Sequence, residues 1–141
     1  MKYLGFLLLV LSGYVMAEEV YYCSDNDANG FNQKNGVYKP ALITLEKFKM
    51  KLQDDGTIAI ENSGGMKTYF CQPPFPLTLF KTTVSLDPTL SSSKTCLELA
   101  SKTSMLNFNH NNGRYILFDG YGYVFGDGDT VTTRIGTCTK F

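Results

Sequence analysis

The run Glu46-Lys47-Phe48-Lys49-Met50-Lys51-Leu52-Gln53-Asp54-Asp55-Gly56-Thr57-Ile58-Ala59-Ile60-Glu61 decides how this chain folds. Phe48, Met50 and Leu52 alternate with Lys47, Lys49 and Lys51, the two-residue period of a strand with one buried and one solvated face. Asp55-Gly56 is a hairpin dipeptide, because both residues tolerate positive φ. Ile58 and Ile60 then return inward on the second strand. Upstream, Leu42 shares the parity of Phe48 whereas Ile43 and Leu45 do not, and a bulge near Thr44 or Glu46 reconciles them.

The same chemistry recurs along the chain. Asn29-Gly30, Asn35-Gly36, Asn112-Gly113, Asp119-Gly120 and Asp127-Gly128 are further turn dipeptides, which favours antiparallel hairpins over helical crossovers. Glu19–Ser24 reads as a first strand, with Val20 and Tyr22 on one face and Tyr21 and Cys23 on the other. Ser63-Gly64-Gly65 leads into a strand over Lys67–Gln72, which Pro73-Pro74-Phe75-Pro76 stops. Leu77–Leu86 is Thr- and Val-rich and extended, and 87–94 is a polar loop. Ser93 can cap a short helix through 95–102, although Thr95-Cys96-Leu97-Glu98-Leu99 fits a short strand equally. Leu106–Asn109, Arg114–Phe125 and Thr130–Phe141 complete a meander, with Gly120 and Gly122 placed for strong coiling of the long middle strand. The expected fold is all-β: an antiparallel meander of about eight strands, barrel-like or a strongly curved sheet, with room for one short helix.

Residues 1–17 read as a secretory signal. Lys2 precedes an apolar core from Leu4 to Leu11, and Val15 and Ala17 occupy the positions a signal peptidase reads. Cleavage after Ala17 leaves residues 18–141, one β-domain's worth of chain. Loss of Lys2 leaves 12 basic residues against 13 acidic ones, far from the basic footprint of a nucleic-acid binder. The apolar run of the signal is too short to span a bilayer, and no later segment competes. The expected location is periplasmic or secreted. In that compartment Cys23, Cys71, Cys96 and Cys138 read as two disulfides, and no two of them sit at a zinc spacing. Three connectivities exist. Cys23–Cys138 with Cys71–Cys96 is the preferred one, clamping the terminal strands and closing a middle loop.

Candidate chemistry is sparse. Asp25-Asn26-Asp27-Ala28-Asn29-Gly30 matches the first half of a calcium loop, with Asp25, Asp27 and Asn29 as oxygen ligands. Gly36 stands where the bidentate Glu belongs, so a solvated hairpin loop is the competing reading. Asp127-Gly128-Asp129 reads as a turn. His110, the lone histidine, lies at a hairpin tip, and no G-x-S-x-G run exists. Nothing fills a set of catalytic roles together, so the expectation is no enzyme and no cofactor. A hydrolase using Asp127, Asp129 or His110 would require those side chains to converge. None of the nine Asn residues sits in an N-x-Ser/Thr sequon. Tyr115, Phe118, Tyr121, Tyr123 and Phe125 crowd one predicted strand, which cannot bury them all on one face. Tyr115, Tyr121, Tyr123 and Phe125 are therefore the candidate ligand-binding residues, and two-sided packing is the competing reading.

The run from Gly120-Tyr121-Gly122-Tyr123-Val124-Phe125-Gly126 to Asp129, with Gly136-Thr137-Cys138-Thr139-Lys140-Phe141 and Tyr21-Tyr22-Cys23, resembles a group of small uncharacterised exported bacterial β-proteins. That resemblance implies no activity. Ser63-Gly64-Gly65-Met66-Lys67-Thr68-Tyr69 loosely resembles the Ser-Gly-x-x-Tyr element of periplasmic lysozyme inhibitors. The functional expectation is an exported non-catalytic protein that binds a small apolar ligand or a protein partner. The alternative is an inhibitor of a cell-wall hydrolase acting through 63–68.

Overall fold

A computed structural model describes residues 18–72, 92–125 and 130–141. The hairpin read from 46–61 forms as β3 (Lys47–Leu52) and β4 (Thr57–Asn62). Met50 faces Ile60 and Leu52 faces Ile58 across it. Gly56 turns at φ 82°, and the Asp55 carboxylate accepts the Thr57 amide and hydroxyl at 2.8 and 2.7 Å.

Around this hairpin lie β1 (Glu19–Lys34), β2 (Val37–Ala41), β5 (Gly65–Gln72), β6 (Ser93–Glu98), β7 (Ser104–Asn109), β8 (Arg114–Asp119), α1 (Tyr121–Phe125) and β9 (Val131–Lys140). The ladder runs β1-β3-β4-β5-β6-β7-β8-β9, and β9 pairs back onto β1. The result is an eight-stranded antiparallel closed barrel. β2 is one extra strand beside the second half of β1. Closure removes the exposed sheet edges that an open meander would leave.

Inward positions fill the barrel with side chains. Tyr21, Phe48, Met50, Ile58, Ile60 and Tyr69 belong to one buried cluster with Leu106, Phe108 and Tyr115. Edge-to-face pairs tie its rings together, Tyr21 to Phe108 at 5.0 Å and Phe48 to Tyr115 at 5.3 Å. Both expected disulfides form between directly opposed residues. Cys23–Cys138 bridges the closing β1–β9 seam, and Cys71–Cys96 bridges β5 to β6. Two disulfides are consistent with an oxidising extracellular or periplasmic location. Among the described residues no helix is long and apolar enough to cross a membrane.

Several sequence expectations are corrected. Residues 25–30 are not a hairpin loop: β1 runs through them to Lys34, and the turn falls at Asn35-Gly36, with φ of 55° and 76°. The ten-residue β9 supplies a ladder partner along that whole run, and β2 supplies one on the other side from Gly30, which outweighs the turn propensity of Asn-Gly. Gly30 is there for close approach, since a Cβ would lie 2.5 Å from the Val131 carbonyl oxygen. Residues 42–46 extend no strand, and Leu42 is fully exposed. Pro40 sits in β2, where the missing donor is tolerated at a strand margin.

The segment around Cys96 is strand rather than helix. The short helix lies elsewhere, because the strand expected over 114–125 ends at Asp119. There the Asp119 Oδ1 accepts the Tyr121 amide at 3.0 Å and starts the single turn of α1. The strand expected over 77–86 and the turn at Asp127-Gly128 lie outside the described residues.

Candidate functional site at the barrel mouth

Strand direction and inward parity bring a set of polar residues to one end of the barrel. β1, β4, β6 and β8 run toward the α1 end, whereas β3, β5, β7 and β9 start there. Toward that end a polar residue follows the apolar core on the inward row: Asp25 in β1, Asn62 in β4, Lys67 in β5, Glu98 in β6, Ser104 in β7, Asp119 in β8 and Arg134 in β9, with Glu46 just before β3. The apolar core therefore ends in a polar mouth. Four carboxylates there meet two cations, leaving an excess of two negative charges.

Half of the mouth is a closed clasp. The Asp25 side chain is fully buried. Its Oδ2 accepts Arg134 Nη1 and the Glu46 amide, both at 2.8 Å, and its Oδ1 accepts the Tyr115 hydroxyl at 2.5 Å. Arg134 Nη2 reaches Glu46 Oε1 at 3.2 Å, and Asn62 donates to Glu46 Oε2 at 3.1 Å. Burial, and next the hydrogen bond to Asp25, push the Tyr115 phenol far above its ordinary value, so it serves as a fixed donor. Both Asp25 oxygens are engaged within this half.

The other half is open. Lys67 pairs with Asp119 at 2.9 Å. Burial alone would raise the Asp119 carboxyl, but the Tyr121 amide and the Lys67 ammonium outweigh it and hold it below the usual range. Burial, and then the charges of Glu98 and Asp119, raise the Tyr69 phenol far above normal, which keeps it neutral. Glu98 is 8 % exposed. Its Oε2 accepts the Ser101 hydroxyl at 2.6 Å, while Oε1 has no hydrogen-bond partner among the described residues. The Ser104 hydroxyl is buried beside the Tyr69 phenol and the Asp119 carboxylate. Above these groups α1 sets Tyr121 and Phe125 with ring centroids 4.9 Å apart. Lys67, Glu98, Ala100, Ser101, Tyr121 and Phe125 enclose a cleft of about 460 Å³, within the usual size range of small-ligand sites, for which barrel mouths are a recurrent place.

The four candidate aromatics divide. Tyr121 and Phe125 wall the cleft, and Tyr123 is exposed on α1 with its ring 5.7 Å from that of Tyr38. Tyr115 is in the core and in the clasp instead. The candidate calcium ligands do not converge. A bulge between Asp25 and Asp27 changes the parity of β1, so Asp25 points inward while Asp27 pairs opposite the outward Ile135. Asp27 is exposed and accepts the Ala28 amide, and Asn29 is exposed opposite Thr133. Among the described residues no group of three His, Cys, Asp or Glu could hold a metal ion.

His110 is at the opposite end of the barrel, beside a hollow of about 330 Å³ lined also by Glu19, Asp54 and Lys94. Asp127 and Asp129 lie outside the described residues. A wider, open hollow of about 750 Å³ over β1, β3 and β4 carries Lys47, Lys49 and Glu61 but has no buried polar group aimed into it.

Sequence reasoning missed Lys67, Glu98, Ser101, Asp119 and Arg134. One signal was present for Glu98: it shares the parity of Cys96, so an inward disulfide implies an inward carboxylate two residues later. No family model, curated protein or solved structure matches this chain.

Proposed function

We propose that this is an exported, non-catalytic binding protein whose ligand is a small molecule with an apolar face, held in the cleft under α1. The observation carrying this reading is the pairing of aromatic walls, Tyr121 and Phe125, with a nearly buried Glu98 that keeps one oxygen unpartnered. The second Glu98 oxygen is left to the open cleft, where a donor on a bound molecule can complete its hydrogen bonds. The filled barrel interior supports a mouth site over an internal cavity of the carrier type. The 1–17 signal pattern and the two disulfides support export to the periplasm or medium.

Titration with N-phenyl-1-naphthylamine, a neutral apolar fluorophore, tests the reading. Saturable enhancement should appear and should weaken at least about fivefold in Phe125→Ala, as expected for losing an aromatic contact. Phe125 is 58 % exposed, so the variant should fold normally. No saturable binding would sink the proposal.

A second reading, inhibition of a cell-wall hydrolase, is supported by the β4–β5 turn beside the same mouth. Ser63 and Gly64 are exposed there, and Met66 is 72 % exposed. A lysozyme assay at micromolar protein decides it, since unaltered hydrolysis removes the best-known form of such inhibition.

A further inference from the structure

We propose that the mouth takes an organic cation: an ammonium or amidinium group that meets Glu98, carried on an apolar body that lies against Tyr121 and Phe125. This rests on the cleft being a binding site and adds the charge and chemical class of what it binds.

Charge is the first argument. Among the described residues around the mouth, Asp25, Glu46, Glu98 and Asp119 face only Arg134 and Lys67, and both cations are engaged. Arg134 is held by Asp25 and Glu46 in the clasp, and Lys67 by Asp119. Among the described residues lining the cleft the one positive group, Lys67, is already paired, so an anion would meet no uncommitted cation there. Lys102 follows Ser101 but is exposed and does not line the cleft. Among the described residues of this half, the Glu98 carboxylate is the one charge without an opposite charge hydrogen-bonded to it. Ser101 supplies a neutral donor to one of its oxygens only.

Wall chemistry is the second argument. Aromatic faces carry a negative quadrupole and attract a cation set over them, more strongly once it is desolvated. A charge-assisted hydrogen bond to a carboxylate is about twice as strong as a neutral one. Carboxylate and aromatic faces together suit an ammonium on an apolar stem. They do not suit a bare metal ion, which needs several oxygen ligands converging, and none of the described acidic residues form such a group.

Benzylammonium and benzyl alcohol, which have similar size but are cationic and neutral respectively, provide the test, with binding followed by NMR shifts on the purified, disulfide-bonded protein. Benzylammonium should bind about tenfold more tightly, an advantage of the size expected for one charge-assisted contact with an aromatic wall. That advantage should shrink with added salt and vanish in Glu98→Gln, while Phe125→Ala weakens both ligands. Equal affinity for the two, or a preference that survives Glu98→Gln, overturns the cation assignment and leaves the cleft a binding site. Failure of both compounds and of N-phenyl-1-naphthylamine overturns the binding site as well. If Glu98→Gln does not fold by circular dichroism, the salt dependence of the benzylammonium preference in the unmodified protein decides instead.

Discussion

Asp25 and Gly136 show how much of this barrel depends on single positions. Asp25 was readable as a cation ligand, because its neighbours Asp27 and Asn29 follow the spacing of a calcium loop. Its actual role is to tie β1 to β9, β8 and the start of β3, and the sequence held no sign of Arg134 as its partner across 109 positions. Replacing Arg134 with Met leaves a buried carboxylate without its counter-charge. Because the Tyr115 hydroxyl and Glu46 amide remain as donors, the loss should fall near the low end for such changes, about 3 kcal/mol, measured by urea unfolding. Gly136 stands opposite Tyr115, and a Cβ there would run into the Ser24 carbonyl oxygen and the Tyr115 hydroxyl. Gly136→Ala should therefore cost about 1–3 kcal/mol or more, seen as a lower melting temperature. A sequence reader sees only a glycine in a strand; the reason for it comes from two other strands.

At the scale of elements, hairpins with clean alternation and a tight turn were readable, and β3–β4 is the clearest case. Elements decided by a partner were not. β1 passes through an Asn-Gly that promised a turn, because β9 and β2 offer hydrogen bonds on both sides. β8 stops at Asp119 although aromatic, strand-favouring residues continue, because its side chain caps α1 and pairs with Lys67. Asp119 thus links the strand end, the helix and, through Lys67, the cleft wall. Its carboxyl is held below its ordinary value in the folded chain. A depressed carboxyl contributes stability that is present above the unfolded value near 3.8 and is lost as pH falls through the folded one. Asp119→Asn should accordingly be less stable than the parent at pH 6, with the difference narrowing in unfolding curves taken toward pH 2. The β5–β6 disulfide acts at the same scale. It closes a separation of 25 residues, and a Cys71→Ser/Cys96→Ser double variant should lose about 3 kcal/mol by chain-entropy reasoning, in denaturant unfolding under oxidising conditions.

For the whole molecule, closure of the barrel converts a pattern of alternation into an inside and an outside, and it buries tyrosines that an open sheet would leave wet. Burial lifts the Tyr21 phenol to about 12, and lifts those of Tyr69 and Tyr115 further still. A phenol with a raised folded value contributes stability that is complete below the unfolded value near 10 and is lost as pH rises above it. Absorbance titration of phenolate should therefore show these three buried tyrosines ionising only together with loss of near-ultraviolet circular dichroism. Smooth ionisation of all tyrosines in a still-folded protein would contradict the filled interior. From the sequence alone came the all-β class, the central hairpin and the oxidised cysteines, since each rests on local period, turn chemistry or compartment; which of the three cysteine pairings forms was left to the register of the strands. The tertiary structure decided that the sheet closes, that eight distant polar residues share one mouth, and that Tyr121 and Phe125 wall a cleft while Tyr115 belongs to the core. Those outcomes depend on strand direction, a one-residue bulge and register between strands, which bring together residues up to 109 positions apart and leave no local pattern to read.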